Sequence, residues 1–152
     1  MIVAALIAHG LIAVALLGAI THQALAVLRP EPLSARGTAF ISRYVAVDPR
    51  VFRNAVIAMY VASFVLGCLL YPAYRLDARI PLEELQLGWA VGLFELKEHF
   101  GGIGLSALPL YHYYWSTARA PGSGRIAITL VLSFIIWFDF ISGHIVNNIR
   151  GV

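Results

Sequence analysis

Four long apolar stretches dominate the hydropathy pattern of this chain, and most polar residues fall between them. The stretches cover residues 1–28, 54–74, 85–116 and 126–149. A helix needs about 20 mostly apolar residues to cross a bilayer, and each stretch is long enough. The pattern therefore predicts an all-α fold, in which residues 1–152 form one transmembrane domain built as a four-helix bundle.

The third stretch differs from the others because Glu95, Lys97 and Glu98 interrupt it. As one helix it would be about 46 Å long, which exceeds the ~30 Å hydrocarbon core of a bilayer. We expect it either to tilt strongly or to begin as an interfacial helix, from Pro81 to roughly Leu93, that then turns into the membrane. Either arrangement places residues 95–99 near one boundary of the bilayer.

The composition supports lipid as the solvent of this protein. Only 12% of the residues are charged, whereas a soluble domain has about one quarter. The single cysteine, Cys68, excludes an internal disulfide. The net charge of +3 comes from arginines in the connections. The sequence shows no basic face with aromatic or polar residues that would recognise nucleic acid. We therefore expect lipid, and not nucleic acid, as a partner.

The arginines also predict an orientation. The connections 29–54 and 116–125 carry seven arginines, against three on the other side of the predicted bundle. Because basic loops stay in the cytoplasm, both termini and the 75–84 loop are expected outside a bacterial inner membrane. The 29–54 connection is either an ordinary basic loop or includes a short helix on the anionic inner leaflet.

Ionisable residues inside a bilayer are costly and point to a function or a partner. With the predicted orientation, three helices bring such residues to the outer half: His9, Glu95, Glu98, His99 and His144. Glu95 and His99 are four residues apart and share a helix face. The alternative is that residues 95–99 are only the solvent-exposed beginning of the helix, with long side chains that extend to the lipid headgroups.

Two cofactors fit this convergence. One b-type haem would be held by two of His9, His99 and His144, with Gly102 and Ser106 leaving room for a flat group. A transition-metal ion would instead use Glu95, Glu98 and His99, since imidazole and carboxylate suit zinc, iron or copper(II). Asn148 and Asp139 would support the ligands by hydrogen bonds, although Asp139 points away from His144 and is expected to partner Lys97 or a tyrosine hydroxyl.

A second pattern leaves a further site open. His9 and His22 are thirteen residues apart, and so are His99 and His112. Two stacked haems need histidines about fourteen apart on each helix, whereas thirteen residues leave two imidazoles about 140° apart around a helix. The spacing therefore disfavours two haems, and His22 and His112 also fit the ordinary reading of interfacial histidines.

Several motifs resemble those of small uncharacterised bacterial four-helix membrane proteins. They are the segment Phe94 to Phe100, the segment Gly143 to Gly151, and the His9-Gly10 pair. In architecture the chain is also loosely similar to haem bundles of the cytochrome b561 type and to CopD-like domains. It departs from the first in its histidine spacing and from the second in having few methionines.

The sequence thus predicts a haem- or metal-binding electron-transfer or accessory subunit of a respiratory-type membrane complex. Without a soluble catalytic domain, the chain is not expected to be an enzyme on its own, and other membrane subunits or further copies are expected partners. Two alternatives stay open. One is a structural or assembly subunit without a cofactor, and the other is transport of protons or small solutes.

Overall fold

The computed structural model describes residues 1–28, 47–117 and 122–149, and all regular secondary structure within these ranges is helical. Four helices are long: α1 (Ile2–Leu28), α2 (Arg53–Tyr74), α4 (Gly88–Ser116) and α5 (Gly122–Ile149). Three helical segments are short: a 3-10 turn (Pro49–Phe52) before α2, a π-helical turn (Arg75–Arg79) after it, and α3 (Ile80–Glu84). The prediction of an all-α fold with four long helices is confirmed, and most of the 29–54 connection lies outside the described residues.

Three helical segments are long and apolar enough to cross a membrane, and they lie at Ile2–Leu28, Pro49–Glu84 and Gly122–Ile149. Helix α4 does not meet that criterion, although the sequence pattern predicted four spanning helices. The reason is its composition. Its first half carries Glu95, Lys97 and Glu98, and its second half contains three tyrosines and a histidine.

The connection after α2 is helical, so the prediction of a loop over residues 75–84 is wrong. One π-helical turn (Arg75–Arg79) leads directly into α3. No glycine interrupts this segment, and Pro81 lies in the first turn of α3, where a missing N–H is tolerated. The chain breaks only at residues 85–87, where Gln86 has a φ of 58°, so the expected interfacial helix is divided there.

The helices run alternately up and down. We call the two ends of the bundle the Ile2 end and the Leu28 end. Helix α1 packs against α2 and α5, and α4 packs mainly against α5 and less extensively against α2. The larger group of buried apolar side chains occupies the Leu28 half and borders the Ile2 half at Tyr60: Leu16, Ala19, Ile20, Val56, Tyr60, Leu108, Tyr111, Trp115, Ile128, Leu132 and Ile136.

Hydrogen bonds fasten the Leu28 end. The Gln23 side chain is fully buried; its Nε2 donates to the carbonyl oxygen of Pro49 at 2.9 Å, and its Oε1 accepts from the Tyr111 hydroxyl at 2.5 Å. The indole N–H of Trp115 donates to Thr129 Oγ1 at 3.0 Å. Because these bonds satisfy polar groups inside an apolar core, they stabilise the contacts of α4 with α1 and α5 in this half of the bundle.

Candidate functional site

A polar cluster lies in the Ile2 half of the bundle, and all four long helices contribute to it. We call it the His9–Asp139 cluster and define it by His9 of α1, Tyr60 and Ser63 of α2, Lys97 of α4 and Asp139 of α5. Lys97 links the group, because its charge acts on both His9 and Asp139. The cluster is therefore one electrostatic unit.

His9 is half-buried and faces α2. Its Nδ1 lies 3.5 Å from the hydroxyl oxygen of Ser63. Its Cε1 lies 3.7 Å from the point where a β-carbon on Gly67 would stand, so the absence of a side chain there leaves room for the ring. The imidazole is thus held against a second helix and is not directed at the surrounding lipid or solvent.

Asp139 sits beside the contact between α2 and α4. The hydroxyl of Tyr60 donates a hydrogen bond to the backbone carbonyl of Gly101 at 3.0 Å. Asp139 Oδ2 lies 3.6 Å from the point where a β-carbon on Gly101 would stand. The other carboxyl oxygen, Oδ1, is fully buried and accepts no hydrogen bond from any described residue. A buried acceptor in that state is costly, which makes Asp139 the most unusual group of the cluster.

Lys97 is half-buried and reaches toward α5. Its Cε lies 3.4 Å from the point where a β-carbon on Gly143 would stand, and its Nζ lies 5.4 Å from the centre of the Phe94 ring. Among the described residues it forms no ion pair within 4 Å, so it acts on Asp139 through its field and not through contact. The partner predicted for Asp139 is therefore nearby without being bonded to it.

His99 faces away from the cluster. It lies two residues before Gly101, which corresponds to about 160° around the helix, and its side chain is exposed. Its Nδ1 is 2.6 Å from the backbone carbonyl oxygen of Glu95. Glu95 and Glu98 are also exposed, and Glu95 Oε1 lies 3.4 Å from Arg79 Nη2. This acidic and basic group therefore lies on the outer side of α4.

His144 is also exposed, and its backbone carbonyl accepts a hydrogen bond of 3.0 Å from Asn148 Nδ2. That bond does not involve the imidazole. The structure thus places His9, His99 and His144 in the same half of the bundle, with His9 against α2 and the other two exposed. Within the described ranges, no three His, Cys, Asp or Glu side chains are grouped as a metal site requires. Haem binding stays a prediction.

The remaining two histidines lie in the Leu28 half and have different surroundings. His22 is buried, and its ring centre lies 4.7 Å from that of Phe52. His112 is exposed, and its Nε2 lies 3.2 Å from Ser116 Oγ, which also accepts a 3.1 Å hydrogen bond from Arg53 Nη1. One imidazole therefore packs in the core, and the other joins a surface network.

Sequence reasoning found His9 and Asp139 but missed Tyr60 and Ser63, and it assigned Lys97 to the headgroups as an alternative. A signal for the two hydroxyls exists. Tyr60 and Ser63 are one helical turn apart and share a face of an otherwise apolar helix. Which partner that face meets depends on the packing of α2, which the periodicity does not determine.

Comparison with known proteins adds no assignment. No protein-family model, curated protein or solved structure matches this chain. The resemblance to small bacterial four-helix membrane proteins therefore stays a prediction, and function is argued from the cluster itself.

Proposed function

We propose that this chain is a four-helix integral membrane protein in which Asp139 binds and releases protons in the Ile2 half of the bundle. The observation that carries this proposal is the buried Oδ1 of Asp139, which has no hydrogen-bond partner among the described residues. Ionisable residues in membrane helices that face the bundle interior mark ion pathways and proton relays. In this proposal α4 also crosses the membrane, with Lys97 turned toward α5.

The surroundings of Asp139 suit a group that changes its protonation state. From α4 it meets the charge of Lys97, and from α2 it is close to the Tyr60 hydroxyl. His9, on α1, feels the same lysine. The Tyr60 hydroxyl already donates to Gly101, so it does not neutralise the carboxyl group. Removing or adding a proton at Asp139 therefore changes the net charge of a cluster that all four helices share.

Access to the cluster is proposed from one side only. Among the described residues, the Leu28 half holds the larger apolar core, and its buried Gln23, Tyr111 and Trp115 side chains already have hydrogen-bond partners, so we expect them not to relay protons to that end. The distribution of arginines favours the Ile2 end facing the outside of a bacterial inner membrane. The proposed role is thus proton exchange with the outer face, without conduction through the bundle.

Two alternatives predict different behaviour. A cluster that only ties helices together has no need of a carboxyl group that exchanges protons. A transporter needs a route through the Leu28 half, and the described core argues against one. The proposal of a haem-bearing subunit of a respiratory-type complex is independent of Asp139 and stays a separate prediction.

The test uses proteoliposomes with uniformly oriented protein and infrared detection of carboxyl protonation. The Asp139→Asn variant identifies the Asp139 band by its loss, and Asp77→Asn, an exposed carboxyl in the π turn, is the matched control. We expect the Asp139 band to follow the pH at the Ile2 end and not the pH at the other end. A carboxyl that never titrates would indicate a structural tie, and sustained proton flux abolished by Asp139→Asn would indicate transport; either result contradicts the proposal.

A further inference from the structure

The side of α4 that faces away from the bundle carries polar and small residues where lipid would favour apolar ones. Glu95, His99, Gly102 and Ser106 follow one another at intervals of four, three and four residues, so they share a face, which we call the α4 outer face. Glu95, His99 and Ser106 are exposed. No atom lies within 4 Å of the point where a β-carbon on Gly102 would stand. Polar groups on an outward helix face are costly in lipid, so we expect a partner with polar groups to bind this face.

His99 is oriented as a metal ligand. Its Nδ1 lies 2.6 Å from the carbonyl oxygen of Glu95. A carbonyl only accepts hydrogen bonds, so Nδ1 carries the hydrogen and Nε2 keeps its lone pair. Metal-binding histidines typically donate their other ring N–H to a carbonyl or carboxylate in this way. The Glu95 side chain lies one turn earlier on the same helix face.

One chain supplies only two donors on this face, Nε2 of His99 and the carboxylate of Glu95. Closed zinc-type sites need four protein ligands, and the described residues of a single chain offer no group of three. A two-fold axis doubles every group on a self-complementary surface. Two copies would therefore supply two imidazoles and two carboxylates, which is a complete tetrahedral set.

We propose that two copies of this chain pack through their α4 outer faces and bind one divalent transition-metal ion between them through Glu95 and His99 of each copy. The charges balance, since two carboxylates neutralise one divalent cation. The mixed imidazole and carboxylate donors suit zinc or iron(II). Gly102 and Ser106 have the small-xxx-small spacing that lets membrane helices approach closely. Arg79 Nη2 lies 3.4 Å from Glu95 Oε1 and would help to position this carboxylate.

The experiment titrates Zn²⁺ into chelator-treated protein in detergent, and it measures bound zinc and molar mass together. We expect one Zn²⁺ per two chains, and a mass that doubles with zinc and returns to that of one chain when the chelator is added. His99→Ala and Glu95→Gln should each abolish both effects. Both residues are exposed, so the helical content of these variants, read by circular dichroism, should equal that of the wild type.

His112→Ala is the matched control, because His112 is a second exposed histidine of α4 and lies about 140° around the helix from His99. It should retain both the zinc stoichiometry and the dimer. Three results would overturn the proposal: one zinc per chain, no zinc bound at all, or a dimer that persists in His99→Ala after the chelator is added.

Discussion

The hydroxyl of Tyr60 donates a hydrogen bond to the backbone carbonyl of Gly101 at 3.0 Å, and this bond joins α2 to α4 beside the polar cluster. Gly104, one turn further along α4, is packed against the same phenol. A β-carbon on Gly104 would collide with the Tyr60 hydroxyl and would lie 3.2 Å from Ile135 Cγ2. The close approach of the helices at this level therefore depends on a glycine.

Gly104→Ala should destabilise the bundle by about 1–3 kcal/mol, because overpacking a filled core forces side chains or helices to shift. Thermal unfolding in detergent measures the effect. Gly10→Ala is the control, since no atom lies within 4 Å of the corresponding point. That variant should be neutral, or more stable by up to about 1 kcal/mol, because alanine favours helix over glycine. Equal melting temperatures for the two variants would contradict the described packing.

Tyr111→Phe should cost about 1–3 kcal/mol, since it leaves the buried Oε1 of Gln23 without its donor. Removing the exposed hydroxyl in Tyr113→Phe should have little effect on the free energy of unfolding. Denaturant titration followed by circular dichroism compares the two variants. If both unfold at the same denaturant concentration, the bond does not hold the Leu28 end together as described.

Gly124→Ala should destabilise the start of α5, because a β-carbon there would overlap the Tyr114 ring. The expected cost is about 1–3 kcal/mol. Gly122→Ala, two residues earlier on the same helix, meets no atom within 4 Å and should be neutral. In a Tyr114→Ala background the ring is absent, so Gly124→Ala should there reduce the free energy of unfolding by less than it does in the wild type. A Gly124→Ala protein as stable as Gly122→Ala would show that the two helices are further apart than described.

The long elements were predictable from the sequence because apolar length alone defines them. The predicted stretches 1–28 and 54–74 differ from α1 and α2 by one residue at a boundary. The helical path from Arg75 to Glu84 was not predicted, since its charges were interpreted as a loop. Charge places a segment outside the apolar core but does not by itself end a helix, and this segment has no glycine, while its Pro81 lies where a helix start tolerates proline.

The composition of the cluster was less predictable. Depth along a helix follows from residue number, and the structure places His9 and His99 in the same half of the bundle. Rotation is a different matter. A helix that is apolar on most sides does not indicate which face meets its neighbours. The rotation of each helix in the bundle determines that His9 contacts α2 and that His99 is exposed. Asp139 and Lys97 come near each other through packing between α4 and α5, which no local sequence pattern predicts.

The most direct test of the central claim, that Lys97 and Asp139 belong to one electrostatic unit, is the infrared titration of the Asp139 carboxyl in Lys97→Met. Removing a cation this close to the carboxyl group changes the free energy of its ionisation, so the titration midpoint should differ from that of the wild type. Arg50→Gln removes an exposed cation from the Leu28 end and should leave the midpoint unchanged. A midpoint that is the same in Lys97→Met and in the wild type would contradict the account.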